Sequence, residues 1–547
     1  MSLIQIALRY WHTLRHLKPV QFYGRLWFRL YRPHVNATAS PPLLRLALGN
    51  WQLPAARAPT MLGPLQFRFL SREHSLPAYG GWNDGTLDKL WLYNLHYFDD
   101  LNARDPDQRG AWHKVLLQRW LQENPPPIGN GWEPYPTSLR TVNWVKWLAA
   151  GNAAPPGMTQ SLATHARWLT KRLEWHLLGN HLFANAKALL FAGLFFDGAE
   201  GTSWLRTGLQ IIGRNLHEQV LEDGGNFERS PMYHAIFLED VLDLINAANN
   251  WPGQVPYGQV AQWREVADRM LKWLAVMTHP DGEIAFFNDA ACGVVPDLVE
   301  LCSYARRLGI PYAIVHRHLF HVPESGYVRL EQDNAVALLD VAPIGPDYLP
   351  GHAHADTLSF ELSVFEQRVV VNGGTSRYGL GQGRLQERGT AAHSTVQVAN
   401  LDSSEVWGGF RVARRAYPFA LQVRDEPDML QVACSHDGYT RLTGAPVHRR
   451  EWVMESGSLR VTDTVRGGAH EALARYVLHP FVQITADGAN TWQLTLTNGQ
   501  RLRVKVHTGS SRMEPASYAP EFGIVLSTQC LAVELVNGHA FVELIWS

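Results

Sequence analysis

The sequence predicts an α+β multidomain chain: an N-terminal (α/α) toroid, an incomplete helical barrel, followed by a C-terminal antiparallel β-sandwich. Two observations predict it. From about residue 86 to 315, apolar residues recur at helical spacing in segments separated by Gly, Pro, Asn and Asp breaks. After about Gly326 the apolar period drops from 3.6 to 2, in many short alternating runs. Helices first and strands second argue for two domains with a cleft between them. The expected division is a basic, aromatic leader over 1–72, a toroid over 73–320 and a sandwich over 321–547.

In the helical half, Leu162, Ala166, Leu169, Leu173 and Leu177 form one stripe, and 181–196, 205–221, 232–249 and 260–277 read as further helices. Breaks such as Asp223-Gly224-Gly225 and Trp251-Pro252-Gly253 divide them into short-linked pairs, an array of helical hairpins. In the second half, runs at 336–340, 358–364, 368–372, 395–398, 421–424, 459–463, 492–496, 502–506 and 532–536 alternate as strands.

The chain has 547 residues and a net charge of −1, spread unevenly. The first 72 residues hold ten Lys/Arg and no acid; Glu73 is the first. No signal peptide is visible, and no apolar run is long enough for a membrane span. The expected location is therefore the cytoplasm or the inner membrane face, or outside by an unrecognised route. Residues 1–32, with Trp11, Phe22, Tyr23, Trp27 and Phe28 among basic residues, either touch an anionic membrane surface or dock on the protein's own body. The four Cys are far apart, as buried free thiols would be. The 20 Trp, mostly before residue 280, suit sugar stacking or core filling. Near-neutral charge and the lack of a groove-reading motif exclude nucleic acid.

Polar groups concentrate in four segments. Gly224–His234 is a loop entering a helix, with Ser230 as N-cap and Pro231 at its first position. It holds Arg229, Tyr233 and His234 at an anion-friendly helix mouth. Trp132–Trp144 points Arg140, Asn143 and Trp144 from nearby turns, Gly179–Lys187 carries Asn180 and His181, and Gly351–Asp356 carries His352 and His354 before a strand. Each alone reads equally as capping or core.

Together, Gly179-Asn180-His181 with Asn185–Leu190, Phe227–His234, Gly351–Asp356 and Arg388–His393 resemble the heparinase II/III family of polysaccharide lyases. The leader, with Ser403–Trp407 and Phe410–Arg415, is similar to the branch found with bacterial exopolysaccharide and capsule biosynthesis. The resemblance implies β-elimination beside a uronic acid. Asn180 would neutralise the uronate carboxylate, helped by Arg140. Tyr233 would act as acid or base, its pKa lowered by positive charge, with His181 or His352 as base. Arg140, Asn143, Trp144, Arg229, His234, Tyr378 and Arg388 would bind the acidic polysaccharide; Arg377, Arg384, Arg411, Arg414 and Arg415 read either as a further basic lining or as a solvated strand edge. The family often holds a structural zinc through two His and an Asp. His354 and His393 match, but Asn372 stands where the Asp falls, and an amide is the weaker ligand. No organic cofactor is implied. Two other readings stay open: a glycoside hydrolase using two of Glu133, Asp223, Glu228 and Asp356, and a non-catalytic glycan-binding protein of a polysaccharide assembly system.

Overall fold

Three helices, Pro134–Ala149, Gly179–Phe195 and Pro231–Asn250, are almost wholly buried and pack on one another as an inner layer. Met158–Leu169, Gly198–Gln219 and Tyr257–Val276 bury one face each and pack outside them. A helix apolar on every side is stable only inside such a layer, and Gly179–Phe195 has that composition. It approaches Gly198–Gln219 so closely that a Cβ on Gly193 would lie 2.3 Å from the Leu205 backbone nitrogen. The computed structural model describes residues 3–312 and 317–547; the end of the expected helical stretch, 313–315, lies outside them.

The stripe through Leu173 and Leu177 does not continue as helix. Met158–Leu169 ends early because the chain turns there, with Arg172 donating to the Phe28 and Tyr31 carbonyls. The leader is also more structured than a basic tail. It forms helices α1 (Leu3–Leu14) and α2 (Pro19–Leu30), and a three-stranded sheet over 61–75 straddles the 72/73 position. Among the described residues no helix is long and apolar enough to cross a membrane.

The second half is antiparallel throughout its three main sheets, of eight, four and five strands. Strands of the eight-stranded sheet, such as Val447–Glu455, alternate between buried and half-buried, as a one-faced sheet does. Ala335–Asp340 and Phe360–Val364 are buried at every position. One face of their sheet meets the sandwich core; the other meets Trp273, Met277 and Phe287 of the helical half. That contact fixes the 341–359 connection, which carries His352, against the mouths of the inner helices.

Candidate active site

Ser230 caps the Pro231–Asn250 helix, its Oγ accepting the Tyr233 N–H at 3.1 Å, and Pro231 takes the first turn. Arg229 before it has φ of +58°, in the left-handed region, and its carbonyl accepts from Tyr327 Oη at 2.6 Å and Asn288 Nδ2 at 2.9 Å. These bonds hold the loop and aim the Tyr233 ring at the sandwich. The ring lies 3.9 Å from the His352 ring, centre to centre, and the Tyr233 hydroxyl is 2.8 Å from that of Tyr378. Thus Tyr233 forms one cluster with His352 and Tyr378, each more than a hundred residues further along the chain.

Asp289 organises it. Its buried carboxylate accepts from His352 Nδ1 and His354 Nε2, both at 2.8 Å, and from both terminal nitrogens of Arg384. Burial alone would raise its pKa; Arg384 and the two imidazoles outweigh that and hold it well below the usual carboxylate range. The bond from Nδ1 leaves the His352 Nε2 lone pair directed away from Asp289. Glu228 Oε2 lies 3.8 Å from that Nε2 and has no hydrogen-bond partner. Burial raises the Glu228 pKa, against the pull of His352 and His181.

On the helical wall, the His181 ring packs at a tilt against Tyr135, 4.5 Å between centres, and bonds to Glu174 at 3.2 Å. Burial opposes its protonation, but Glu174 prevails and the pKa is raised. Asn180 begins the same helix half-exposed, with no partner for its amide among the described residues.

Several expectations are corrected. The Tyr233 pKa is raised well above its ordinary value, not lowered, because burial, Tyr378 and Asp289 all disfavour the phenolate. Arg140 is fully buried, stacked 3.9 Å from Trp120 and bonded to His165 and to backbone carbonyls. Trp144 is core beside it, and Asn143 ties the Tyr97 carbonyl to Asp99. His234 is buried, accepting from Asn226 N and donating to Met270 O. Arg388 is buried and donates to the Ala353 and Pro350 carbonyls, while Arg229 donates to those of Ser325 and Glu324. These six side chains build the walls and do not offer free groups to a polymer. Arg384 is buried, and Arg414 and Arg415 pair with Glu405 and Asp347. Tyr378 alone of the binding set reaches the cluster.

The hub, Asp289, lies outside the four polar segments of the sequence. Its signal was an Asn-Asp pair inside the otherwise apolar run Ile284–Cys292: a carboxylate so placed is buried and must be paired.

His354 Nδ1 and His393 Nε2 are 3.2 Å apart. The Asn372 amide is already engaged, its oxygen accepting from Ser394 N and its nitrogen donating to Ser359. Two imidazoles and a satisfied neutral amide do not fit a structural zinc, which takes four strong ligands. Among the described residues no group of three or more His, Cys, Asp or Glu is gathered to hold a metal.

A helical toroid closed on an antiparallel sandwich, with a Tyr-His cluster where they meet, defines a two-domain cleft protein. The chain belongs to the heparinase II/III-like family: the family's N-terminal model matches residues 157–299 and its C-terminal model residues 315–540. It is 24% identical to a heparin-sulfate lyase of Bacteroides stercoris over 301 residues, 50% of this chain and 45% of that protein. It is also 24% identical to the heparin-sulfate lyase of Pedobacter heparinus, over 41% of this chain and 36% of that one. It thus spans less than half the length of either relative. The fold is similar to that of a solved heparinase III, with a TM-score of 0.72 at 16% identity over 96% of this chain and 89% of that one.

Proposed function

We propose that the chain is a polysaccharide lyase that cleaves beside a uronic acid by β-elimination. The observation that carries this is the contact of Tyr233 with His352, whose Nδ1 is held by Asp289. His352 Nε2 takes the C5 proton; Asp289 and Glu228 stabilise the imidazolium that results. The C4–O4 bond breaks as the C4=C5 bond forms, and Tyr233, kept protonated by its raised pKa, gives its proton to the departing O4. The free Asn180 amide meets the uronate carboxylate and stabilises the charge that develops on it. His181, held by Glu174, lines the other wall. No metal or organic cofactor enters a step.

Several cations of the two walls are already paired: Arg384 with Asp289, Lys187 with Asp240 and Asp243, Arg57 with Glu239, Arg415 with Asp347. Arg411, exposed over the Trp407 ring, and Arg377, exposed and 3.5 Å from Glu387, remain, so a densely sulfated polymer would meet few free guanidinium groups. We therefore favour a uronate exopolysaccharide of low charge density over a sulfated glycosaminoglycan. The hydrolase reading needs two available carboxyl groups. Of its candidates, Asp223 and Asp356 accept from Ser325 and Asn288, and Glu133 accepts from Lys89 and Tyr93, which leaves Glu228 without a second available carboxyl group. The leader is the part of the chain that suits peripheral membrane contact, and we infer that the enzyme works at a membrane face.

The test is ultraviolet absorbance during incubation with uronate polymers of graded sulfation. A rise from the conjugated C4–C5 double bond, strongest on unsulfated polymers and lost in Tyr233→Phe, is expected. New reducing ends without absorbance would make the protein a hydrolase; binding with neither signal would make it a glycan-binding protein.

A further inference from the structure

Helix α1 is amphipathic, and it is mounted with its polar side inward. Ile4, Leu8 and Trp11 fall on one stripe and Leu3, Tyr10 and Leu14 on the next. All six are exposed, Leu3 by 84% and Trp11 by 63%, and no residue of the helix is buried. The side against the protein is Arg9, His12 and Thr13, joined by one edge of the half-exposed Tyr10: Thr13 Oγ1 accepts from Trp407 Nε1 at 3.1 Å, the Arg9 guanidinium lies 5.9 Å from the Trp407 ring, and the Tyr10 ring meets it edge-on at 5.1 Å.

Helix α2 repeats the arrangement. Only Gln21 and Gly24 are buried, Gln21 donating to the Tyr348 carbonyl and Gly24 lying against His176. Phe22, Tyr23, Leu26, Trp27 and Leu30 face outward. Two helices that withhold their apolar faces from the core have those faces free for another apolar phase. The charges say which phase. Arg15, Arg25, Arg29 and Arg32 are exposed and meet no carboxylate among the described residues, and no acid occurs before Glu73. Apolar faces flanked by unpaired arginines complement a bilayer with anionic headgroups.

We infer that α1 and α2 seat together in an anionic lipid bilayer and hold the cleft against it. The inference rests on the peripheral membrane contact proposed above and adds the seating faces. Both walls are tied to the seat. On the sandwich side α1 packs on Trp407, in the turn that carries Phe410, whose ring lies 5.5 Å from that of Tyr378. On the helical side Phe28 of α2 packs on His176, just before Asn180. Lys18, between the helices, lies over Tyr348, four residues before His352. A polymer emerging at the membrane would meet the cluster without leaving the surface.

The test is flotation of the full chain with phosphatidylcholine vesicles, with and without phosphatidylglycerol. The wild type should float with the anionic vesicles only and be released by salt. A variant with Leu8→Glu, Trp11→Glu, Leu26→Glu and Trp27→Glu should lose roughly tenfold or more in partition, with an unchanged melting curve and unchanged turnover of soluble polymer. Replacing Arg15, Arg25, Arg29 and Arg32 by Gln should remove the preference for anionic lipid. Wild-type binding that persists in the Glu variant would overturn the seating faces and leave membrane contact standing through another surface. No wild-type binding would overturn both. A wild-type dimer in light scattering that the Glu variant lacks would assign these faces to a second copy of the chain instead.

Discussion

His352 Nδ1 donates to Asp289 at 2.8 Å, while the face of its ring lies 3.9 Å from Tyr233. One carboxylate therefore sets the tautomer of the imidazole and, through Arg384, anchors the segment that brings Tyr378 to Tyr233. Asp289→Asn leaves Arg384 buried without its counter-charge. We expect a loss of about 3–5 kcal/mol, read as a lower denaturant midpoint, together with lost turnover. Asp289→Asn with unaltered stability would remove Asp289 from this role.

The same residue predicts an acid limb. Its folded pKa is depressed, so its contribution is complete above the unfolded value of about 4 and disappears as pH falls through the folded value. Stability curves of wild type and Asp289→Asn should be separated at neutral pH and converge in acid. Parallel curves down to the lowest pH would contradict the assignment.

Tyr233 and Tyr378 share one hydrogen bond but not one task. Tyr233→Phe removes the proton donor and should cost about 10²–10⁴ in kcat, the usual worth of a general acid. Tyr378→Phe removes only a bond that orients it, and we expect a loss of about tenfold with KM unchanged. Steady-state kinetics of the two variants decides it; equal losses would make Tyr378 a proton carrier too.

Arg140 is a core residue caged by Trp120, Trp132 and Trp144. Arg140→Ala should destabilise by about 3 kcal/mol through the cavity it leaves, while KM of the folded fraction stays constant. Arg140→Met, which keeps the volume and drops a buried charge with no acid beside it, should be close to neutral. A raised KM in Arg140→Met at unchanged stability would return Arg140 to the substrate.

The Asn372 amide leaves His354 and His393 one carboxylate short of the family's zinc set. Purified wild type should carry substoichiometric zinc by elemental analysis, and Asn372→Asp should gain it. Stoichiometric zinc in the wild type would show that the amide serves as a ligand.

The order of helices then strands was legible in the sequence because burial imposes a period of 3.6 on one and 2 on the other. The helix mouth at Ser230-Pro231 was legible for an equally local reason: capping is satisfied within three residues. The sequence by itself also determined the types of group available, a Tyr, several His and an Asn, and the acid-free leader. Only the tertiary structure decided which of them meet. Burial is a property of the whole packing, and nothing within a turn of Arg140, Arg388 or His234 marks them as interior. Asp289 became the hub because the fold sets it against residues 352, 354 and 384, and the direction of the Tyr233 pKa shift followed from that carboxylate. In the leader the residues dictate amphipathic helices, but their polar sides take the few polar sites on the body. That choice, made by packing, turned the apolar faces outward.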